Sequence, residues 1–118
     1  MKKLTWIADS RSKVKSFPTA IQDDIGYALY VAQLGEMSPA AKPLHGLGSG
    51  VMEIPAHDAS GTYRAVYTVS IGDSIYVIHA FQKKSKTGIA TPKSEMDLVR
   101  QRIKQLRSEV KNAEKKTS

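Results

Sequence analysis

Four side chains in one short part of the chain have the chemistry needed to hold and break a phosphodiester bond: Arg64, His79, Phe81 and Lys83. A guanidinium binds a phosphate through two parallel hydrogen bonds, and a histidine exchanges a proton near neutral pH. An aromatic ring stacks on an unpaired base, and a lysine stabilises charge that develops on phosphate oxygens. Together these groups would serve attack of a ribose 2′-OH on its own phosphate, which needs no metal ion.

The segments that carry these residues have the composition of two paired strands. Residues 62–69 and 74–81 are β-rich, and the Gly-Asp pair at 72–73 predicts a tight hairpin loop between them. On the register of a two-residue loop, one sheet face carries Arg64, Val66, Thr68, Val77, His79, Phe81 and Lys83. The other face carries Tyr63, Ala65, Tyr67, Val69, Tyr76, Ile78, Ala80, Gln82 and Lys84. A one-residue bulge would reverse this grouping beyond the bulge.

Each candidate also has a purely structural interpretation. His79 lies in an apolar run, where a core histidine bonded to the backbone is the alternative. Arg64 lies between apolar neighbours, and burying it requires a partner such as a salt bridge to Glu53. The three lysines that follow the second strand have the alternative of a solvated run: Lys83, Lys84 and Lys86.

The charge of the chain is concentrated at one end. Residues 1–81 carry seven Lys/Arg and seven Asp/Glu, whereas residues 82–118 carry eleven Lys/Arg and four Asp/Glu. The whole net charge of +7 therefore belongs to the last third of the chain. This asymmetry predicts a polyanionic partner or an acidic protein partner, and the alternative is a solvated basic helix.

Composition also excludes several classes of site. The chain has no cysteine, which excludes disulfides and thiolate–zinc sites and fits a reducing cytoplasm. The spacing of the three histidines and nearby carboxylates predicts no metal site. The glycine-rich residues 46–50 lack a phosphate-loop lysine, so we expect no cofactor. We expect neither a signal peptide nor a membrane-spanning segment.

The apolar spacing predicts an α+β fold with the order β-α-α-β-β-β-α. The predicted elements are a strand at 4–7, a helical turn at 10–17, a helix from 19 to 34, strands at 51–54, 62–69 and 74–81, and a last helix. Thr91 is the expected N-cap of that helix, with Pro92 as its first residue. We expect a small antiparallel sheet with the helical pair on one face and the other face free. Residues 1–111 would form one domain, followed by a frayed basic tail at 112–118.

Several segments resemble a known protein family. They are the run from Gly50 to Glu53, the strand Tyr63-Arg64-Ala65-Val66-Tyr67-Thr68, the string His79-Ala80-Phe81-Gln82-Lys83-Lys84-Ser85-Lys86, and Thr91-Pro92-Lys93 with Glu95. Residues 25–30, 33–35 and 42–44 add support. Across residues 4–107 the chain resembles the HigB-like, phage-derived branch of the RelE/ParE toxin superfamily.

The resemblance implies the toxin of a type II toxin–antitoxin system with this sheet topology. RelE-like and HigB-like members are ribosome-dependent, metal-independent endonucleases that cut mRNA in the cytoplasm. By position, Arg64 takes the phosphate and transition-state role, and Lys83 and Lys84 join it as catalytic candidates with His79. The remaining RNA-binding candidates are Tyr67, Phe81, Lys86 and Lys93.

The resemblance also implies partners. A helix-turn-helix antitoxin encoded by an adjacent gene would bind the toxin, and operator DNA would be contacted only through that antitoxin. The chain departs from the pattern after Ile54, where Pro55 and Ala56 stand in place of the arginine that many members carry. Two alternatives stay open: a ParE-like toxin that inhibits gyrase by binding, and a non-catalytic relative that binds nucleic acid.

Overall fold

The computed structural model describes residues 1–83 and 91–117, with side chains described through residue 114. The described elements are β1 (Lys3–Trp6), α1 (Ser10–Lys15), α2 (Thr19–Gln33), β2 (Lys42–Pro43), β3 (Val51–Asp58), β4 (Gly61–Thr68), β5 (Ser74–Lys83) and α3 (Lys93–Thr117). The strands form one five-stranded sheet in the order β1-β5-β4-β3-β2. The predicted α+β class is confirmed, although β1 runs parallel to β5 and makes the sheet mixed. The short strand β2 was not predicted.

The register of β4 and β5 agrees with the prediction at one end only. Arg64 lies opposite Phe81, as expected. A bulge between Val66 and Tyr67 then shifts the register, so that Tyr67 pairs with Val77. The strands end at Thr68 and begin again at Ser74, so the connection is longer than a two-residue loop. The predicted face grouping is therefore wrong beyond the bulge.

Both faces of the sheet are covered, which differs from the predicted free face. On one face, Ile21, Ile25 and Leu29 of α2 pack with Ala65 and Tyr67 of β4. On the other face, an apolar stripe of α3 packs against the sheet; this second core includes Val66, Ile78, Val99, Ile103 and Leu106. The narrow apolar stripe of the last helix is stabilised by burial, and the second sheet face supplies the apolar surface that it covers.

The helix starts and the end of α2 differ from prediction by at most one residue, a usual margin, and α1 ends two residues earlier than predicted. α2 ends where Gly35 takes a φ of +86°, a conformation that glycine adopts without strain. α3 starts at Lys93, and the carbonyl of Pro92 accepts the first helical hydrogen bond from Met96 N–H. Pro92 therefore occupies the N-cap position that is predicted for Thr91, and the Thr91 hydroxyl accepts a hydrogen bond from Arg64 and donates one to Glu53. α3 continues to Thr117, past the predicted tail boundary at 111, and the single-domain assignment stays a prediction.

The strand β3 is longer than predicted and contains Pro55. Pro55 pairs with Arg64 of β4, whereas β2 ends opposite Glu53. Proline lacks the N–H that an inner strand must donate, and this part of β3 has no strand on its outer side to receive one. The predicted turn at residues 55–61 is thus confined to the tip between Asp58 and Gly61.

Candidate functional site

A buried carboxylate organises the charged groups at one end of the sheet. Glu53 is 1% exposed, and its Oε1 accepts a hydrogen bond from Arg64 Nη1 at 2.7 Å. Its Oε2 accepts one from the Thr91 hydroxyl at 2.6 Å. Lys42 Nζ lies 3.7 Å from Oε1 and is half exposed. We call Glu53, Arg64, Thr91, Lys42 and the nearby Lys83 the Glu53 cluster.

Strand register explains how these residues meet. Glu53 of β3 lies opposite Val66, so Arg64, two residues earlier on β4, is its diagonal neighbour on the same face. Lys83 of β5 lies two residues beyond Phe81, the partner of Arg64, and so shares that face as well. Sequence reasoning placed Arg64 and Lys83 together for this reason.

Lys83 has an altered proton affinity. Burial lowers the pKa of the Lys83 ammonium below its usual value of 10.5, the charges of Arg64 and Lys42 lower it further, and Glu53 opposes them. The cluster holds three cationic side chains around one carboxylate, so it carries excess positive charge. A lysine in such surroundings gives up its proton more readily than an exposed lysine does.

A second polar network lies beside the cluster and is centred on His79, which is 4% exposed. Its Nε2 is hydrogen-bonded to a carboxylate oxygen of Glu95. Its Nδ1 lies 3.2 Å from Arg102 Nη1, which also donates to the carbonyl of Ile78 at 3.0 Å. Arg102 Nη2 pairs with Asp9 at 2.9 Å.

This network fixes the tautomer of His79. A guanidinium only donates hydrogen bonds, so Nδ1 of His79 must be the acceptor from Arg102. Nε2 must then carry the ring proton and donate a hydrogen bond to the carboxylate of Glu95. Both ring nitrogens are thereby engaged. Arg102 and its partner Asp9 hold the imidazole in place, and the pKa of Asp9 is lowered because the hydrogen bond and charge of Arg102 outweigh the opposing effect of burial.

An aromatic pair joins the two networks. The Phe81 ring stacks on His79 with centroids 5.4 Å apart and planes 21° apart. Both rings border a cavity of about 380 Å³ that is also lined by Lys13, Phe17, Tyr63, Gln82 and Glu95 among others. Phe81 itself is 6% exposed, so a nucleotide in this cavity would meet mainly the rim of the aromatic pair.

The structure brings some of the predicted site residues together and places others elsewhere. Arg64, His79, Phe81 and Lys83 lie on neighbouring positions of β4 and β5. Tyr67 is 1% exposed in the core beneath α2, where burial raises the pKa of its hydroxyl, and its contact with a base stays a prediction. The remaining predicted lysines do not join the group through any described contact. Lys93 is an exposed first residue of α3, and Lys84 and Lys86 lie outside the described residues.

Several residues of these networks escaped sequence reasoning. The sequence analysis considers Glu53 only as a possible salt-bridge partner of Arg64. It does not predict the hydrogen bonds and ion pairs that Asp9, Thr91, Glu95 and Arg102 make in these networks. These residues lie far apart in sequence, and only the packing of α3 against β5 brings them to the site. No group of His, Cys, Asp or Glu suited to a metal ion occurs within residues 1–83 and 91–117. No helix of that part is long and apolar enough to cross a membrane.

Comparison with known families shows which family the chain belongs to. Residues 12–104 of the 118 match the family described as Phage derived protein Gp49-like (DUF891). No match was found among the curated proteins. The matched range begins within α1 and ends within α3, and it includes Glu53, Arg64, Lys83 and His79. The chain therefore belongs to the phage-derived Gp49-like family.

Proposed function

We propose that the protein is a HigB-like toxin that cleaves mRNA on the ribosome, with the Glu53 cluster as the site of cleavage. The single observation that carries the proposal is the convergence of Arg64, Lys42 and Lys83 around the buried carboxylate of Glu53 at one end of the sheet. Excess positive charge attracts a phosphodiester, and a lysine with a lowered pKa can take part in proton transfer near it. Membership of the phage-derived Gp49-like family, together with the resemblance to RelE-like and HigB-like toxins, supports this proposal.

The reaction is an attack of the ribose 2′-oxygen on the adjacent phosphorus. The bond from phosphorus to the 5′-oxygen of the next nucleotide breaks, the 2′-hydroxyl gives its proton to solvent water, and the departing 5′-oxygen receives a proton. The products are a 2′,3′-cyclic phosphate and a 5′-hydroxyl. We assign Lys83 Nζ the stabilisation of the phosphorane and the proton for the leaving oxygen.

Arg64 acts as a fixed charge in this scheme. Its Nη1 donates to Glu53 at 2.7 Å and to Thr91 at 3.3 Å, so the guanidinium is oriented before substrate arrives. The carboxylate thus positions Arg64, and Arg64 in turn contributes to the lowered pKa of Lys83. This role differs from the two-point phosphate grip expected from sequence, because Glu53 occupies part of the guanidinium.

His79 has a positioning role in this scheme. Since Arg102 and Glu95 engage its two ring nitrogens, we assign His79 the support of the Phe81 ring and not the role of general base. Phe81 and the cavity beside it form the wall against which the nucleotide next to the broken bond rests.

The experiment compares induced wild type with Lys83→Met, Lys83→Arg and the matched surface variant Lys15→Met. Ends of cellular mRNA are mapped by primer extension after growth arrest. We expect new 5′ ends with wild type and with Lys15→Met, and a loss of roughly 10²-fold with Lys83→Met. Lys83→Arg should keep charge but lose proton transfer, and therefore fall between them.

Other outcomes would assign the protein elsewhere. Growth arrest without new mRNA ends, together with loss of supercoiling by purified gyrase, would favour the ParE-like alternative. Unchanged growth with abundant folded protein would favour a non-catalytic relative.

The antitoxin partner is part of the same proposal. A helix-turn-helix protein encoded beside this gene should co-purify with the tagged chain and restore growth when expressed with it. Operator DNA should bind the pair and not the toxin alone. If the adjacent gene product neither co-purifies nor restores growth, the partner assignment fails.

A further inference from the structure

The exposed side of α3 carries a regular line of positive charge. Arg100, Lys104, Arg107 and Lys111 recur at the spacing of one helix face, and all four are exposed. They extend over about 16 Å at 1.5 Å per residue. We call these four residues the α3 basic stripe.

Most of this charge is not neutralised by carboxylates. Arg100 pairs with Asp97 at 3.1 Å, an exposed pair that is worth little in water. Within residues 1–83 and 91–114, Lys104, Arg107 and Lys111 make no salt bridge with a carboxylate. The opposite flank of α3 differs, because Gln101, Gln105 and Glu109 line a cavity there beside β1.

A shaped groove runs beside the stripe. A cavity of about 300 Å³ is lined by Gly46 and Leu47 of the glycine-rich loop and by Arg100, Ile103, Lys104 and Arg107 of α3. Arg107 Nη2 lies 3.5 Å from the carbonyl of Leu47. A Cβ at Gly48, whose φ is +96°, would lie 2.7 Å from that same nitrogen, so glycine is what lets the guanidinium rest on the loop.

We propose that the α3 basic stripe and this groove bind the backbone phosphates of double-stranded RNA, at a site separate from the Glu53 cluster. Exposed cations in a line along a helix face, three of which form no salt bridge with a carboxylate of the described residues, suit the high phosphate density of a duplex. The stripe has no aromatic side chain on which an unpaired base could stack. Within the described side chains, the large exposed apolar residues lie outside α3, at Met1, Tyr27, Tyr30, Leu34, Met37 and Val69. A protein partner would need such anchors at the stripe.

The geometry links this site to the cleavage site. Thr91 contacts Glu53 just before α3 begins at Lys93, and Arg100 lies seven residues further on, about 10 Å along the helix. The stripe therefore runs from about 10 to 27 Å along the axis from the start of α3. This assignment of the RNA rests on the proposed function, which is cleavage of mRNA on the ribosome. The duplex would then be a base-paired part of the ribosome–mRNA assembly that presents the strand to be cleaved.

The test measures binding of a short 2′-O-methyl RNA duplex, which 2′-OH attack cannot cleave, by fluorescence anisotropy over a salt series. The full-length chain is compared with Arg100→Gln/Lys104→Gln/Arg107→Gln. The matched control, Lys2→Gln/Lys3→Gln/Lys15→Gln, removes the same charge from exposed positions elsewhere. Losing three phosphate contacts should reduce the slope of log K against log salt by about 2.7, and the control should keep its slope.

Equal loss of slope in both triple variants would overturn the proposal, because net charge alone would then explain binding. Binding of a polyglutamate peptide that depends on the stripe, with duplex RNA binding unchanged, would overturn it in favour of an acidic protein. The outcome is separable from the cleavage assay: stripe-dependent binding without mRNA cleavage refutes the proposed function only, and cleavage without stripe-dependent binding refutes this site only.

Discussion

The substitution Glu53→Gln tests whether one carboxylate holds the cationic cluster together. Glu53 and Arg64 are 1% and 5% exposed, and their side chains meet at 2.7 Å. Removing one partner of a buried ion pair leaves an uncompensated charge and costs about 3–5 kcal/mol. That is a large part of the roughly 5–15 kcal/mol by which a domain is stable.

The structure further predicts an asymmetry between the two partners. Glu53→Gln leaves three cations, Arg64, Lys83 and Lys42, without their anion. Arg64→Met leaves Glu53 with Lys42 at 3.7 Å and with the favourable charge of Lys83. Glu53→Gln should therefore destabilise the protein more than Arg64→Met does. The double variant Glu53→Gln/Arg64→Met should be less destabilised than the sum of the two single variants.

Urea unfolding followed by circular dichroism measures the three free energies, with Lys15→Met as a surface control. A loss for Glu53→Gln within about 0.5 kcal/mol of the control would refute the reasoning, because such values are typical of surface positions. So would additivity of the two single variants, since it would mean that the two charges do not interact.

Three further predictions follow from particular contacts. The pKa of Lys83 is lowered in the folded protein, so between that pKa and 10.5 the unfolded chain binds more protons than the folded chain. The free energy of unfolding of wild type relative to Lys83→Met should therefore rise with pH in this window, as measured by urea unfolding in a pH series. A difference that does not change with pH would contradict this prediction. ¹⁵N NMR of His79 should show a protonated Nε2 and an unprotonated Nδ1, and Arg102→Met should release this preference; the opposite tautomer in wild type would exclude the network described. Gly26 is exposed within α2 and a Cβ there meets nothing within 4 Å, so Gly26→Ala should stabilise the chain by about 0.5–1 kcal/mol in urea unfolding, and destabilisation would show that the glycine has a packing role.

The part of the fold that sequence predicts well depends on local pattern. The spacing of Ile21, Ile25 and Leu29 predicts α2, and Gly35 marks its end. Alternation in β4 and β5 places Arg64 opposite Phe81. Each of these features depends on residues within a single helix or a single hairpin. Residues that are close together in the sequence are therefore enough to predict it.

The part that sequence misses depends on long-range packing. The register shift between Val66 and Tyr67 is not marked by any turn residue in the sequence, so the local pattern does not predict it. The coverage of the second sheet face requires knowing where α3 docks, and this docking brings Glu95 and Arg102 to His79.

The candidate site shows the same division. Arg64 and Lys83 meet because strand register is periodic, and that periodicity can be read from sequence. Whether Arg64 faces a phosphate or an internal carboxylate depends on Glu53 of another strand and Thr91 at the start of α3. A charged residue in an apolar strand indicates that a partner exists, but its identity is fixed only by the tertiary structure.

The most direct test of the account is cleavage of a defined mRNA on purified ribosomes, with a single 2′-deoxynucleotide at the position of scission. The account predicts that wild-type protein cuts the all-ribose message to a 2′,3′-cyclic phosphate end, spares the 2′-deoxy message, and loses activity by roughly 10²-fold in Lys83→Met. Equal cleavage of the 2′-deoxy message, or full activity of a folded Lys83→Met variant, would contradict it.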